Sequence, residues 1–556
     1  MTRHLSLLLC FVAALGNAQD RSQARSMVIT TRGIVATAQT LASQAGAQIL
    51  ARGGSAVDAA IAANAVLSVV EPMMNGPGGD LFALVWDART ESLIGINASG
   101  WAPQGLSIDY LKKLGLIRMP ASGIHTVTVP GCVAGWEKLH KRFGRLPWRD
   151  LFKPAIYYAE NGFPVTELIQ WDWENTNSPL TDDARKLYLP NGSAPKVGEI
   201  FRNPQLGHAF RLIAELGARA FYGGPVGEAL LKTSSELGGT MTAADLRDYE
   251  AEWVRPISTD YRGWKVSELP PNGQGVGTLE MLNILENFPV GHYDQTSVEA
   301  LHLEIEADKL ALADVDRYVG DPKFAAVPVA GLLSKPYAKQ RAASIDPEKA
   351  HCEVEAGSPL KDAHGNTTYL SAVDKDGNTV SWIQSNSEIF GSGILVQGMG
   401  FLLHNRGASF DFDPKHPNAL APRKRPFHTI IPAFLEQGTR HIAFGIMRGV
   451  NQPQAQMQFV SNIVDHQMNI QAALEAPRFT KVTSGGCELL IEARVPDIIR
   501  RELEQKGHRL DVLGDFSGLM GGGQAVLHDS GTKVNYGASS PRKDGAAIPE
   551  PDPYFK

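Results

Sequence analysis

Four cysteines in 556 residues are too few for a disulfide framework, and no CxxC pair is present to hold zinc. Cys10 lies in an apolar N-terminal run, so a mature chain keeps Cys132, Cys352 and Cys487. These leave room for one bridge, whose partners the sequence does not name. No histidine is followed by the Glu of an HExxH helix. Charge of one sign is also scarce: 53 Lys and Arg stand against 59 Asp and Glu, for a net charge of −6. There is no basic stripe with interleaved aromatics, which argues against a nucleic-acid partner. Beyond the first residues no stretch is long and apolar enough to predict a transmembrane helix. With 43% hydrophobic and 20% charged residues, the chain suits one large globular body or two to four domains.

The N-terminus has the pattern of an export signal. Arg3 and His4 precede the apolar run Leu5 to Leu15, Gly16-Asn-Ala18 offers a cleavage site, and polar Gln19-Asp-Arg-Ser-Gln follows. Residues 1–18 are therefore expected to be a signal peptide, and the mature protein a soluble one, periplasmic or secreted.

Periodicity predicts alternating strands and helices. Residues 29–36 read as an opening strand, and a helix from Thr40 to Ala51 stops at Arg52-Gly53-Gly54. Ser55 caps a second helix, Ala56 to Val70, with Asp58 in capping-box position; being apolar all round, it should be buried. Asn75-Gly-Pro-Gly-Gly-Asp80 precedes the strand Leu81–Trp86. A phosphate loop needs the reverse order, so these glycines read as turn geometry and close backbone packing. Residues 135–250 are mostly helical. Strands are expected near 257–261, 264–269, 400–403, 429–434, 442–445 and 488–491. Helices are expected over 279–285, 298–319, the latter with one amphipathic stripe, and 453–467. Asp374-Lys-Asp-Gly-Asn378 mimics the start of a calcium loop but has Thr379 and Ser385 where Gly and Glu are required, so it reads as a turn. This order suits a layered α/β body.

The stretch around which the chain is organised is 361–383. A polar loop, Lys361-Asp-Ala-His-Gly-Asn366, runs into two threonines and an alternating strand. Thr368, Leu370, Ala372 and Asp374 point one way, and Thr367, Tyr369, Ser371 and Val373 the other. The run Thr367-Thr-Tyr-Leu-Ser-Ala-Val-Asp-Lys-Asp-Gly-Asn378 is joined by Ser385-Asn-Ser, Phe390-Gly-Ser-Gly-Ile394 and Lys424-Arg-Pro426. Together with Gly53-Gly-Ser-Ala-Val-Asp-Ala-Ala60, Gly78-Gly-Asp80, Gly320-Asp-Pro322, Ala476-Pro-Arg-Phe479 and Tyr536-Gly-Ala-Ser-Ser-Pro-Arg542, it resembles the γ-glutamyltransferase family of N-terminal-nucleophile hydrolases. The resemblance extends from about Gly33 to Arg542.

The resemblance implies an α/β (α+β) fold, a four-layer αββα sandwich. It also implies self-cleavage of the Asn366–Thr367 bond, giving a large subunit (19–366) and a small one (367–556), with no metal or organic cofactor. Thr367 becomes the nucleophile, and its own α-amine, with an unperturbed pKa of about 8, serves as the base. Ser385 matches the family's Thr that hydrogen-bonds the nucleophile. Gly449 matches one of two oxyanion-hole glycines, and Arg448 stands where the other is expected.

The substrate positions depart from the family's pattern. Ser99, in Ser99-Gly-Trp-Ala-Pro103, replaces the arginine that holds the α-carboxylate of a γ-glutamyl group. His428 and Thr429 replace paired serines for the same end. Ser387, Arg406 and Ser409 replace the Asn, Gln and Asp that bind the α-amine, which removes the counter-charge of an ammonium. Arg406 offers a cation for a carboxylate instead, and His428 a donor to an acyl oxygen. The reading is an amidohydrolase or acyltransferase for a small-molecule amide, passing an acyl group to water or an amine. γ-Glutamyl compounds such as glutathione are the default. The alternatives are a non-glutamyl amide, as in cephalosporin acylases and oxamate amidohydrolases, or an unprocessed, inactive binding protein.

Overall fold

A computed structural model describes residues 23–175, 178–354 and 366–554. The expected signal peptide and the loop residues 361–365 lie outside them. Two seven-stranded antiparallel sheets form the centre. The first runs, in spatial order, Ala546–Pro549, Ile34–Thr37, Asn366–Val373, Thr379–Ser387, Asp80–Asp87, Ser92–Ala98 and Glu252–Val254. The second runs Val28–Thr30, Val534–Ser539, Gly523–Asp529, Arg440–Ile446, Ala433–Gln437, Trp264–Glu268 and Ile257–Tyr261. Period-2 alternation gives each sheet two apolar faces. Ile34, Phe82, Leu84, Tyr369, Val373 and Ile383 of the first sheet pack on Phe434, Ala443 and Val526 of the second. The outer face of the first, including Leu370, Ala372 and Trp382, is covered by Ala56–Val70 and its neighbours. The outer face of the second is covered by Gly275–Leu285, Val298–Tyr318 and Asn451–Val464. The fold is the expected four-layer αββα sandwich.

The helix Ala56–Val70 is buried along its whole length and carries the Ser55–Asp58 capping box. The Gly-rich turn works by close approach: a Cβ on Gly78 would lie 2.2 Å from the Leu402 carbonyl, and one on Gly79 2.4 Å from that of Ser385. Asp374 closes the 374–378 turn on itself, accepting the N–H groups of Asp376 and Asn378.

Four expectations need correction. Residues 29–36 are two strands in different sheets, Val28–Thr30 and Ile34–Thr37, separated by a turn at Thr31–Gly33. Residues 400–403 follow a turn at 397–399 and carry a single bridge, Leu402 to Leu395, rather than a strand; the Tyr188 hydroxyl and the Asn203 amide take the Gly400 carbonyl. The strand expected from Thr429 starts at Ala433, since Gln274, Gln452 and Gln456 side-chain amides take the backbone groups of Thr429 and Ile431. The helix Val298–Tyr318 is buried on every side from Ala300 to Asp316 rather than along one stripe. Several of its polar residues are paired: Lys309 with Glu306 at 2.6 Å, Asp314 with Arg341 at 3.1 Å, and Asp316 with Ser484 at 3.1 Å.

Candidate active site

Thr367 is the second residue of a central strand of the first sheet, 1% exposed, and on the face turned toward the second sheet. The register breaks here. Asn366 pairs with Ser387 and Thr368 with Gln384, so Ser385 and Asn386 oppose Thr367 alone. Such a bulge bends the strand and re-aims a side chain. It brings Ser385 Oγ to 3.5 Å from Thr367 Oγ1. On the other side Gln452 Nε2 lies 3.4 Å from the same oxygen. The Gln452 carbonyl accepts the Ile431 N–H at 3.0 Å, which fixes its amide end toward Thr367.

Behind Ser385 lies a buried charge network. Ser385 Oγ accepts the Ser387 N–H at 2.7 Å and Arg406 Nη2 at 3.3 Å. Arg406 also donates to Thr429 Oγ1 at 2.9 Å and holds Nε 3.6 Å from Asp80. Asp80 is fully buried and accepts the Gly100 N–H at 3.0 Å. It lies 2.9 Å from both His428 Nε2 and His404 Nδ1. A carboxylate only accepts, so the His428 proton sits on Nε2. Burial raises the Asp80 carboxyl, but His404 and His428 outweigh it and hold the group well below the usual carboxylate range. Burial and the Arg406 charge push His428 down to about 4, so it is neutral at physiological pH. Burial opposes the Arg406 charge, and Asp80 and Glu388 sustain it.

At the far edge Arg448 and Gly449 take positive φ, 95° and 49°, immediately before the helix Asn451–Val464. Among the described residues neither gives its amide N–H to a hydrogen bond. Two consecutive unengaged N–H groups at a helix N-terminus suit a developing oxyanion. Gln274 Nε2 bridges the carbonyls of Thr429 and Gly449, at 2.7 and 2.9 Å, locking this turn to the network. Glu388 lies in the fields of both Arg406 and Arg448; burial lifts its carboxyl to about 7 against their pull. Beside the nucleophile candidate, Thr368 donates to Glu71 at 2.8 Å, and Lys543 holds Glu71 and Asp172 together.

Thr367, Ser385, Ser387, Arg406, His428, Thr429, Arg448 and Gly449 thus lie in one linked cluster. Two expected substrate-binding residues are engaged elsewhere. Ser99 is buried and donates to Asn97, in a network closed by Asn272. The Ser409 hydroxyl lies 2.8 and 2.9 Å from the Arg406 and Phe427 carbonyls. Asp80, His404, Gln274, Gln452 and Glu388 were not legible as site residues. Asp80 has a local cue in its Gly-rich turn, whereas the others are distinguished only by contacts distant in sequence.

The family model of gamma-glutamyltranspeptidase matches residues 42–550. The chain is 38% identical over 531 residues to the glutathione hydrolase-like YwrD proenzyme of Bacillus subtilis, covering 94% of this chain and 99% of that one. It is 34% identical over 537 residues to the oxamate amidohydrolase proenzyme of Klebsiella pneumoniae, covering 93% and 98%. The crystal structure of cephalosporin acylase from Bacillus halodurans superposes with a TM-score of 0.89 at 41% identity, covering 98% of this chain and all of that one.

Proposed function

The chain belongs to the gamma-glutamyltranspeptidase family of amidohydrolases, and we propose that it is exported, cuts itself between Asn366 and Thr367, and then uses Thr367 as an N-terminal nucleophile. The observation that carries this reading is the setting of Thr367 Oγ1, buried between Ser385 and Gln452 in the same cluster as the unengaged N–H groups of Arg448 and Gly449.

In the precursor the Thr367 hydroxyl attacks the Asn366 carbonyl. The peptide nitrogen leaves as the Thr367 amine, and water hydrolyses the ester. The freed amine then takes the hydroxyl proton as Thr367 attacks a substrate amide, and returns it to the leaving amine. The Arg448 and Gly449 N–H groups stabilise the tetrahedral oxyanion. Ser385, held by Arg406 and the Ser387 N–H, and Gln452, held by Ile431, orient the nucleophile. Water or an amine completes the cycle by releasing the acyl group.

The acyl group in this reading carries a carboxylate or second carbonyl and no ammonium. Arg406 stands where the family places a neutral amine-binding amide, and Arg448 adds a second guanidinium close by. An ammonium there would meet two cations. One observation favours a γ-glutamyl substrate instead: Glu388 could act as counter-charge to its amine. Glutaryl and γ-glutamyl p-nitroanilides separate the two, since they differ only in that amine. Faster hydrolysis of the glutaryl compound supports the anionic acyl group, and the opposite order supports the glutamyl reading. N-terminal sequencing of the wild type beside Thr367→Ala tests processing. A chain beginning Thr-Thr-Tyr-Leu in the wild type alone supports it, and one intact chain in both overturns it.

A further inference from the structure

Cys352 and Cys487 are bonded, and they lie on opposite sides of the Asn366–Thr367 peptide. We propose that this bond joins the two subunits covalently after self-cleavage, so that the mature protein is one disulfide-linked, two-chain molecule. The inference rests on the processing proposed above.

The bond sits at the end of a built seam rather than on a loose loop. Residues 346–352, the last described part of the large subunit before 353–354, run along the small subunit. The Ala350 N–H donates to the Lys506 carbonyl at 2.7 Å, Lys506 Nζ donates to that of Pro347 at 2.7 Å, and the Gly486 N–H donates to that of Cys352 at 2.8 Å. Beneath them, buried His302 and His508 meet across the subunit boundary at 2.8 Å, and His302 Nε2 takes the Asp346 carbonyl at 2.8 Å. Lys309 ties Glu306 and the His351 carbonyl, at 2.6 and 2.9 Å. His302, Glu306 and His508 could face a cation, but the Lys309 ammonium already occupies Glu306. The cluster instead fixes Cys352 over Cys487, which is fully buried. Cys132, the remaining described thiol, is buried away from them and unbonded.

Making the bond removes two protons and two electrons from the two thiols. The acceptor is a protein disulfide in an oxidising compartment, reduced to a dithiol by exchange. The intact chain accommodates the bond, so its formation does not require the cut. Cleavage breaks only the Asn366–Thr367 amide and leaves both sulfurs untouched.

The test is denaturing electrophoresis of purified protein, alkylated with N-ethylmaleimide before unfolding, with and without reductant. N-terminal sequencing of the same sample shows whether it is cut. Peptide mass mapping of the unreduced wild type seeks the Cys352–Cys487 cross-linked pair and does not depend on any variant folding. The expected result is one species of full mass without reductant, two with it, and two N-termini. Cys352→Ser should be cut normally yet run as two chains in both lanes. Two chains from the alkylated, unreduced wild type would overturn the bond while leaving self-cleavage standing. One chain with one N-terminus in both lanes would overturn self-cleavage, and this proposal with it.

Discussion

Asp80 and Ser385 stand directly opposite each other in the antiparallel ladder, and the guanidinium of Arg406 reaches both, at 3.6 and 3.3 Å. The buried carboxylate therefore holds the cation that holds the hydroxyl beside Thr367. Asp80→Asn leaves Arg406 buried without its counter-charge, an expected loss of about 3–5 kcal/mol. The Asp80 carboxyl is depressed in the fold, so its contribution is present above its unfolded pKa of about 3.9 and lost as pH falls through the folded value. Denaturant midpoints across acid pH should show the variant less stable at neutral pH, with the gap closing as acid protonates the wild-type group. Equal midpoints at pH 7 would remove Asp80 from this role.

Gln452 acts on Thr367 through one oriented N–H. Gln452→Met removes that donor at similar volume, and a hydrogen bond of about 1–2 kcal/mol translates into a roughly tenfold fall in kcat. KM should hardly move, because the contact is to Thr367, the proposed nucleophile, and not to substrate. A rise in KM at constant kcat would instead put Gln452 against the acyl group.

Arg448 holds φ at 95°, a conformation natural to glycine. Arg448→Gly should raise stability by about 1 kcal/mol through relief of backbone strain, and it keeps the N–H proposed to meet the oxyanion. Loss of the guanidinium should raise KM for a glutaryl anilide severalfold while leaving kcat within about twofold. A collapse of kcat would mean the side chain takes part in chemistry.

Glu388 is lifted to about 7 by burial. Above that pH it becomes a carboxylate beside Arg406 and Arg448 and competes with an anionic acyl group. KM for the glutaryl anilide should therefore rise as pH passes through about 7, and Glu388→Gln should flatten the profile. The sign for stability follows the same shift: the unfolded carboxyl loses its proton near 4.5 and the folded one near 7, so stability falls across that interval. A wild-type KM that stays level from pH 6 to 8 would remove Glu388 from the pocket.

Local patterns carried much of the fold. The alternation from Thr367 to Val373 places Leu370 and Ala372 against the helices, and Tyr369 and Val373 between the sheets. The capping box at Ser55 sits where its spacing puts it. What stayed illegible depends on contacts remote in sequence. Pairing cannot be read from a strand's own residues, so one stretch at 29–36 became two strands in separate sheets. The helix Val298–Tyr318 reads as amphipathic because its charges look solvated, whereas inside the fold Lys309 pairs with Glu306 of the same helix and Asp314 with Arg341 from outside it. The site shows the same division. Thr367 and Ser385 stand in recognisable runs and Asp80 closes a Gly-rich turn, but His404 and Gln452 acquire meaning only once Asp80 and Ile431 are placed beside them.

The strands Asn366–Val373 and Thr379–Ser387 are flanked in their sheet by Ile34–Thr37 and Asp80–Asp87, which come from the other side of the Asn366–Thr367 bond. A cut there changes the molecularity of folding. The intact chain folds as a first-order process, but two severed chains must find each other, and their melting point then depends on protein concentration. The Cys352–Cys487 link would return a protein cut there to first order, so its melting point should be independent of dilution until the link is reduced.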